Sequence, residues 1–405
     1  MANAQSLIKT PILGGAYTAR SVNAADNRMV NLFPEIVPDG GKEAAFLQRA
    51  PGLRRLTTVG TGPIRGMIAI NDYSYVVSGS KIYKMDSDWS AAELGSVGGS
   101  GPVSMAENGL QIFVACNPTA YIITLADDSV TQITDVDFPG AQQVTFIDGY
   151  FIFNEPQTQR FWITTLYDGL QIDPLEFASA EGSPDRLISL TSNHNELWLF
   201  GANSIEVWYD AGLIDFPFTR IQGAFNELGC AAAYSVAKMD NSIFWVGGDS
   251  RGRGIVYRAK GYAGERISTH AVEWQIQQYN DISDAIAYTY QQDGHSFYVL
   301  TFPSANKTWV YDAATNVWHE RAYLNSGTLI RHRSNCQMSF ANEIVVGDYA
   351  DGRVYAFDQD YYSDDGNPQK WLRSWRALKP GENNLNRTAH FALQVDMETG
   401  AGVVA

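Results

Sequence analysis

Hydrophobic and polar positions alternate along this chain in a short repeating order. From Ile64 onward, an apolar run leads into a polar turn, a more apolar run follows, and a Gly- or Ser-containing turn precedes a third run. The polar inner turns are Asn71-Asp72, Glu107-Asn108-Gly109, Asp148-Gly149, His194-Asn195, Asp240-Asn241, Asp293-Gly294 and Ala341-Asn342. Short runs of β-branched and aromatic residues bounded by such turns predict β-strands. The chain from Ile64 to Asp360 is therefore predicted to form successive small antiparallel sheets.

The strand after each inner turn is apolar on both faces. These strands are Tyr73–Val77, Leu110–Val114, Tyr150–Phe153, Leu197–Phe200, Ser242–Val246, Ser296–Phe302 and Ile344–Val346. The spacing of the turns allows three or four strands per unit, which is typical of β-propeller blades. A sheet that is apolar on both faces must be buried between two neighbours, so the array should close into a ring. We predict an all-β fold with a β-propeller of six or seven blades over residues 61–368. A long sandwich or a solenoid of hairpins is the alternative.

The two ends of the chain depart from this repeat. Residues 1–60 are polar and interrupted by Gly and Pro, and we predict an extended N-terminal arm with one or two short strands, with disorder as the alternative. Residues 369–405 are predicted to be a C-terminal β segment, because Trp371–Leu378 and His390–Val395 alternate like strands. The last strand has no obvious partner. It either pairs with the arm or belongs to a chain that continues beyond Ala405.

Composition and charge narrow the function. The chain is 45% hydrophobic and 12% aromatic, with 36 glycines, which suits strands and turns. Its net charge of −15 opposes the phosphate neutralisation on which tight DNA binding depends. An acidic surface suits a conduit that does not hold moving DNA, and it equally suits ordinary solubility. No apolar run is long enough to span a membrane, and the first residues lack the pattern of a cleaved signal peptide.

The sequence predicts no catalytic residue, no cofactor and no metal. Cys116, Cys230 and Cys336 are far apart, so we expect buried or half-buried free thiols in a reducing cytosol rather than a disulfide framework. The six histidines lack metal-ligand spacing, and no nucleophile elbow, phosphate loop or dinucleotide fingerprint is present. The acidic run from Asp358 to Asp365 fits a solvated loop better than a calcium loop, because a Tyr occupies a ligand position.

Two local patterns suggest alternative functions. Trp309–Trp318 resembles a kelch unit, in which Tyr-Asp, Thr and Trp lock the turn of a blade. This resemblance supports the propeller and makes a kelch-like adaptor for a protein partner the second hypothesis. Ser363-Asp364-Asp365-Gly366 with Trp371 approaches the box of propeller sialidases, although the spacing differs and the box does not recur. A propeller glycosidase is therefore the third hypothesis.

A wider resemblance runs through the first half of the chain. Its motifs occur in a fixed order: Val30–Pro34, Arg49–Leu53, Gly101–Ala106, Phe161–Thr164, Asp173-Pro174, Phe177–Glu181, Pro184-Asp185 and Ser204–Glu206. In this order the sequence resembles the packaged-DNA stabilisation proteins of short-tailed bacteriophages, which are also called tail accessory or nozzle proteins. The colinear order carries the resemblance rather than any single motif.

The resemblance implies a structural virion protein that is made in the host cytoplasm. Such a protein would form a homo-hexameric ring below the portal and its adaptor ring, extend the DNA channel, retain the packaged genome, and support the tail needle or tailspikes. DNA would pass through the lumen without sequence-specific binding, and the chain would not insert into a membrane. Ring contacts would be heterologous. The candidate basic contact residues are Arg251, Arg253, Arg331, Arg333, Arg373 and Arg376, for which ordinary exposed loops are the alternative.

Overall fold

The computed structural model describes residues 15–18, 26–37, 45–180, 182–249, 252–375 and 397. Six short strands precede the repeat: β1 (Tyr17–Thr18), β2 (Asp26–Asn27), β3 (Met29–Val30), β4 (Leu32–Ile36), β5 (Ala45–Arg49) and β6 (Gly52–Thr58). β1 pairs with β2, and β4 forms a hairpin with β5.

Seven sheets follow one another through the described part of the chain and form the blades of a propeller; the first four are four-stranded and antiparallel, and the last three have five, seven and six strands. Blades 1 and 2 consist of β7 (Ile64–Ile70), β8 (Tyr73–Ser78), β9 (Lys81–Asp86), β10 (Ala91–Ser96), β11 (Ser104–Glu107), β12 (Gln111–Cys116), β13 (Thr119–Thr124) and β14 (Ser129–Gln132). Blades 3 and 4 consist of β15 (Val144–Ile147), β16 (Tyr150–Asn154), β17 (Arg160–Ile163), β18 (Phe177–Ser179), β19 (Leu187–Asn193), β20 (Glu196–Gly201), β21 (Ile205–Asp210) and β22 (Phe218–Asn226).

The inner strand of blade 5 is divided in two. This blade consists of β23 (Gly229–Cys230), β24 (Ala237–Met239), β25 (Ser242–Asp249), β26 (Gly252–Lys260) and β27 (Ala263–Arg266), and the helix α1 (His270–Gln277) follows it. Blade 6 consists of β28 (Ile286–Gln292), β29 (His295–Phe302), β30 (Lys307–Asp312) and β31 (Val317–Asn325), with β32 (Thr328–Arg331) added beside β31. Blade 7 contains β33 (Ser334–Phe340), β34 (Glu343–Asp348) and β35 (Arg353–Asp358).

Side chains on the second strand of each blade alternate between the two neighbouring blades. In β12, Phe113 and Ala115 pack against blade 3, whereas Ile112 and Val114 pack against blade 1. Each of the seven interfaces between blades holds its own apolar cluster. Full burial of one such side chain contributes about 1.5 to 3 kcal/mol, so the two apolar faces stabilise a closed ring. The predicted all-β propeller is therefore confirmed, with seven blades among the described residues.

The ring closes through a strand from the start of the chain. β6 pairs with β35 in register with Leu53 opposite Phe357, and it supplies the outer strand of blade 7. Next to it, the side-chain amide of Asn335 in β33 donates to the backbone oxygen of Ile64 in β7 at 2.8 Å. Residues 52–58, which belong to the predicted arm of residues 1–60, thus form a strand of the propeller. Its partner is about 300 residues away in the sequence, and no local pattern reveals such a pairing.

Both ends of the chain add strands outside blades 6 and 7. The last described strands are β36 (Ser363–Asp364), β37 (Asn367–Pro368) and β38 (Leu372–Arg373). β36 pairs with β6, while β38 pairs with β3, which itself pairs with β31. We call β3, β4, β5, β36, β37 and β38 the terminal layer.

The terminal layer joins the two ends of the chain, since a strand of the arm and a strand of the C-terminal segment lie side by side. The three-part domain division itself stays a prediction. His390–Val395, the second predicted C-terminal strand, lies outside the described residues.

Candidate functional site: a closed axis and a layer built from the chain ends

The axis of the propeller is closed at the end where the inner strands begin. Between β23 and β24 the chain leaves the inner edge of blade 5. The carbonyl oxygen of Ala233 accepts hydrogen bonds from Gln143 Nε2 at 3.1 Å, beside blade 3, and from Ser189 Oγ of blade 4 at 2.9 Å. The carbonyl oxygen of Tyr234 accepts one from the backbone N–H of Ala287 in blade 6 at 2.8 Å. One short segment therefore ties blade 5 to three other blades.

The side chain of Tyr234 extends this closure toward the remaining blades. Burial raises the pKa of Tyr234 to about 12, and its phenol lies close enough to Cys116 and Arg65 for both to act on that pKa. Cys116 belongs to blade 2 and Arg65 to blade 1. We call residues 231–236 the axial segment. A DNA duplex, whose major groove alone is about 12 Å wide, cannot pass through an axis closed in this way.

A buried guanidinium occupies the interface between blades 6 and 7. The Arg321 side chain on β31 is 1% exposed, donates to the hydroxyl of Tyr290, and lies 5.2 to 5.5 Å from the ring centres of Tyr290, Phe297 and Phe357. Burial, together with the positive charge of Arg321, lowers the pKa of His332 to about 3 and that of His319 well below its usual value. Both imidazoles are therefore neutral, and the guanidinium is stabilised by aromatic faces.

Asp364 reaches this interface from the terminal layer. Its side chain is 1% exposed, and burial raises its pKa to about 7, against the opposing effects of Gln369 and Arg321. Oδ1 accepts a hydrogen bond from Gln369 Nε2 at 3.3 Å. The same nitrogen of Gln369 donates to the backbone oxygen of Pro51 at 3.1 Å. Asp364 and Gln369 therefore connect the C-terminal strands to the strand that closes the propeller.

Ion pairs bind the terminal layer and the closing strand β6 to the blades around this buried site. Arg28 holds Glu320 of β31 through two hydrogen bonds of 2.9 and 2.8 Å. Arg54 lies 2.6 Å from both Asp358 and Glu343. Asp365 accepts from Arg55 Nε at 2.8 Å and from Arg353 Nη1 at 2.7 Å. Partly exposed pairs of this kind contribute little singly, but as a network they fix the register of the layer.

A histidine clamps the arm hairpin to blade 6. His295 is 5% exposed, with Nδ1 2.8 Å from Asp312 Oδ2 and Nε2 2.8 Å from Glu35 Oε2. Burial acts to lower the pKa of His295, but the hydrogen bonds to Glu35 and Asp312 outweigh it and raise that pKa above its ordinary value. Both ring nitrogens can donate to a carboxylate only when the ring carries a positive charge.

The predicted contact arginines lie in different places. Arg251 and Arg376 are outside the described residues. Arg253 is exposed on β26 of blade 5, and Arg373 is half-buried on β38 of the terminal layer. Arg331 and Arg333 flank the passage from blade 6 to blade 7. Their role in contacts between copies stays a prediction.

Arg331 and Arg333 have partners within their own chain. The guanidinium of Arg331 lies 3.6 Å from the ring centre of Tyr349. Arg333 Nε lies 2.8 Å from Oδ2 of the buried Asp348, and its Nη2 lies 3.4 Å from Asp351. The Arg333 side chain is only 13% exposed, so most of its surface is used inside the blade.

The kelch-like and acidic motifs have structural roles. Oδ1 of Asp312 accepts from the backbone N–H of Ala314 at 3.0 Å and Oδ2 accepts from Thr315 Oγ1 at 2.5 Å, which locks the turn between β30 and β31. Asp358 and Asp365 of the acidic run form ion pairs with arginines. Across the described residues, no group of three or more His, Cys, Asp or Glu side chains could hold a metal ion. All three cysteines are free thiols, two of them buried.

No helix among the described residues could cross a lipid bilayer.

A comparison with protein families gives one match. The model of the family described as bacteriophage P22 Gp10, β-propeller, matches residues 8–362. No individually curated protein matches the sequence.

Solved structures are similar at the level of the fold. They include PorZ of the type-IX secretion system of Porphyromonas gingivalis, with 10% identity over 81% of this chain and a TM-score of 0.45. This chain spans 39% of the PorZ chain. The N-terminal domain of Nup159 has 10% identity over 81% of this chain and 98% of its own, with a TM-score of 0.47. The extracellular domain of the putative one component system BT4673 from B. thetaiotaomicron has 8% identity over 76% of this chain and 40% of its own, with a TM-score of 0.50. At such identities these likenesses say nothing about function.

The family match extends from the arm, through all seven blades, to the beginning of the terminal layer's C-terminal strands. The motifs that suggested the phage resemblance lie within it. The chain therefore belongs to the bacteriophage P22 Gp10 β-propeller family, and it is a structural virion protein of the class that stabilises packaged DNA.

Proposed function

We propose that six copies of this chain form a ring, the tail nozzle, below the portal and its adaptor ring. The ring extends the channel through which DNA leaves the capsid and retains the packaged genome. Membership of the phage family supports the role, and the closed axis supports the arrangement. Because the axial segment bonds blade 5 to blades 3, 4 and 6, the DNA channel lies between copies rather than inside one propeller.

The charge of the chain suits a wall beside moving DNA. The formal net charge is −15, so six copies would surround the duplex with repulsive surface. Proteins that hold DNA do so chiefly by neutralising phosphates with Lys and Arg. A channel without such neutralisation lets the duplex slide, and retention then depends on closing the channel mechanically.

The terminal layer is suited to contacts in the ring. It projects from the outer edges of blades 6 and 7, and its hairpin bears the exposed side chains of Ile36 and Phe46. A ring needs two different surfaces on each copy, and such a one-sided projection provides one of them. In this proposal the other partners are the portal and adaptor proteins, the tail needle and the tailspikes. The chain is made in the host cytoplasm and does not insert into a membrane.

The structure gives the alternative functions little support. The residues of the kelch-like motif around Asp312 lock a turn within a blade, so a protein partner is not needed to explain them. Of the sialidase-like residues, Asp364 is buried and Asp365 is paired with Arg55 and Arg353. We therefore propose a non-catalytic role.

Cryo-electron microscopy of the virion that contains this chain tests the proposal. We expect six copies around the tail axis, with DNA density passing between propellers. Capsids filled in the absence of the chain should lose their DNA to added nuclease, and supplying the chain in trans should restore retention. DNA density within a propeller, or normal retention without the chain, would contradict the proposal.

A further inference from the structure

The end of the propeller opposite the axial segment exposes large apolar side chains on blades 2 to 4. In the loop from β17 to β18, Leu166 is 52% exposed and Leu175 is 80% exposed. In the loop from β21 to β22, Leu213 is 55% exposed and Ile214 is 100% exposed. Leu110, in the inner turn of blade 2, is 59% exposed. Contiguous apolar side chains left in water commonly mark interaction sites.

Hydrogen bonds show that these loops meet at one surface. Gln111, next to Leu110, accepts at Oε1 from the backbone N–H of Gly169 at 2.7 Å. The backbone N–H of Tyr167 donates to Gly149 in the inner turn of blade 3 at 2.8 Å. The two blades that carry the loops are joined by Asn195, whose side-chain amide donates to Asp148 at 2.8 and 3.0 Å. Phe216, in the loop of blade 4, packs against Phe161 of blade 3 with ring centres 5.8 Å apart. The turns and loops of blades 2, 3 and 4 therefore adjoin one another.

The same surface is acidic. Neither loop, 164–176 or 211–217, contains a Lys or an Arg. The acids in the loops and the adjoining turns are Glu107, Asp148, Asp168, Asp173, Glu176, Asp210 and Asp215. Burial, and then the charge of Asp173, raise the pKa of Glu176, as expected where acids lie together without cations. We call these two loops, with Leu110, the acidic ledge.

We propose that the acidic ledge binds a basic protein surface that carries apolar side chains, presented by another component of the phage tail. The exposed leucines and Ile214 would enter the partner's apolar contacts, while the surrounding carboxylates select Lys and Arg at the rim. The inference rests on the proposed role of the chain in the tail. Nucleic acid and anionic lipid carry the wrong charge for this surface.

A second copy of this chain is poorly suited to be the occupant. Many of its arginines already pair with acids of their own chain: Arg28, Arg54, Arg55, Arg266, Arg333 and Arg353. With 44 acidic and 29 basic residues, a second copy would bring net negative charge to an acidic surface. Electrostatic complementarity therefore favours a different, basic partner.

Hydrogen–deuterium exchange tests the inference on the full chain, free and in purified tails. We expect the backbone amides of residues 164–176 and 211–217 to exchange at least about tenfold more slowly in the tail. The double variant Leu213→Ser with Ile214→Ser should fold normally, because both side chains are exposed, and should enter tails at least about tenfold less efficiently. Val136→Ser is the matched control, since Val136 is 95% exposed at the other end of the propeller.

Three results would overturn the inference. The ledge could exchange equally fast in both states, the double variant could enter tails as well as the control, or tail images could place a second copy on the ledge. Absence of the wild-type chain from tails would instead contradict the proposed function. The two failures are therefore distinguishable.

Discussion

Nε2 of His295, the first residue of β29, lies 2.8 Å from the carboxylate of Glu35 in the arm hairpin, although the two residues are 260 positions apart in the sequence. Nδ1 of the same ring faces Asp312 at 2.8 Å, and Phe33 packs edge-on against the ring at 5.0 Å. The contact is thus buried and shared between the arm and blade 6, and its two carboxylates favour the protonated ring. The stability of the contact between the arm and blade 6 should therefore depend on whether the His295 ring is protonated.

We expect the stabilisation from this contact to be lost as the pH rises. The folded-state pKa of His295 is raised, so the contribution is fully present below the ordinary pKa of about 6.5 and disappears as the pH passes the raised value. The protection of the backbone amides in β4, measured relative to their intrinsic exchange rates at each pH, should therefore fall above neutral pH. Glu35→Gln should remove much of this dependence, whereas Glu93→Gln, in the exposed pair with Lys81, should leave it unchanged. An unaltered pH profile in Glu35→Gln would contradict the clamp.

Asp364 predicts a second pH dependence of the same sign. Its pKa of about 7 in the folded chain exceeds the usual value of an aspartate, so folding favours the protonated form. Stability should decrease from about pH 4 to pH 7 as the unfolded chain ionises first.

Asp364→Asn should therefore be more stable than the wild type at pH 8, by on the order of 1 to 3 kcal/mol in the free energy of unfolding. The advantage should vanish near pH 4. Urea denaturation at both pH values measures it, with Asp360→Asn as an exposed neighbouring control. Equal effects at the two pH values would mean that Asp364 is not held neutral.

The alternation of apolar residues was sufficient to predict the propeller. Phe113 and Ile112 are successive residues that contact opposite blades, and this pattern has a local cause, the two-residue period of a strand. The predicted inner turns are turns for an equally local reason, because Asn71, Asp148 and Asp240 have the positive φ that these residue types tolerate.

The parts of the structure that were not predicted depend on distant pairings. Tyr234 closes the axis by contacts with blades 3 and 6, yet its neighbours in sequence are small residues that resemble an ordinary loop. Leu53 enters blade 7 because Phe357 lies opposite it, and the buried Arg321 was not singled out among the arginines. Arg333 was predicted as a contact residue from its charge alone, yet its guanidinium is paired with an acid of its own chain.

The axial segment should contribute to stability through its buried hydrogen bonds. Ser189→Ala removes the 2.9 Å bond to Ala233 and leaves a buried carbonyl with one donor fewer. Tyr298→Phe removes the 2.7 Å bond from its hydroxyl to the carbonyl of Ser235. Each should reduce the free energy of unfolding by about 1 to 3 kcal/mol. Ser283→Ala, at an exposed site, is the control. Losses no larger than that of the control would show that the segment does not hold the blades together.

Closure of the ring by β6 gives the strongest stability prediction. Leu53 is fully buried opposite Phe357, between the last two blades and the C-terminal strand β36. Leu53→Ala should reduce the free energy of unfolding by about 2 to 5 kcal/mol, because truncation leaves a cavity in addition to the lost transfer energy. The matched control is Leu110→Ala, which changes the same side chain at an exposed turn and should have little effect. If the two variants unfold at the same urea concentration, the Leu53 side chain does not help to hold β6 against blade 7.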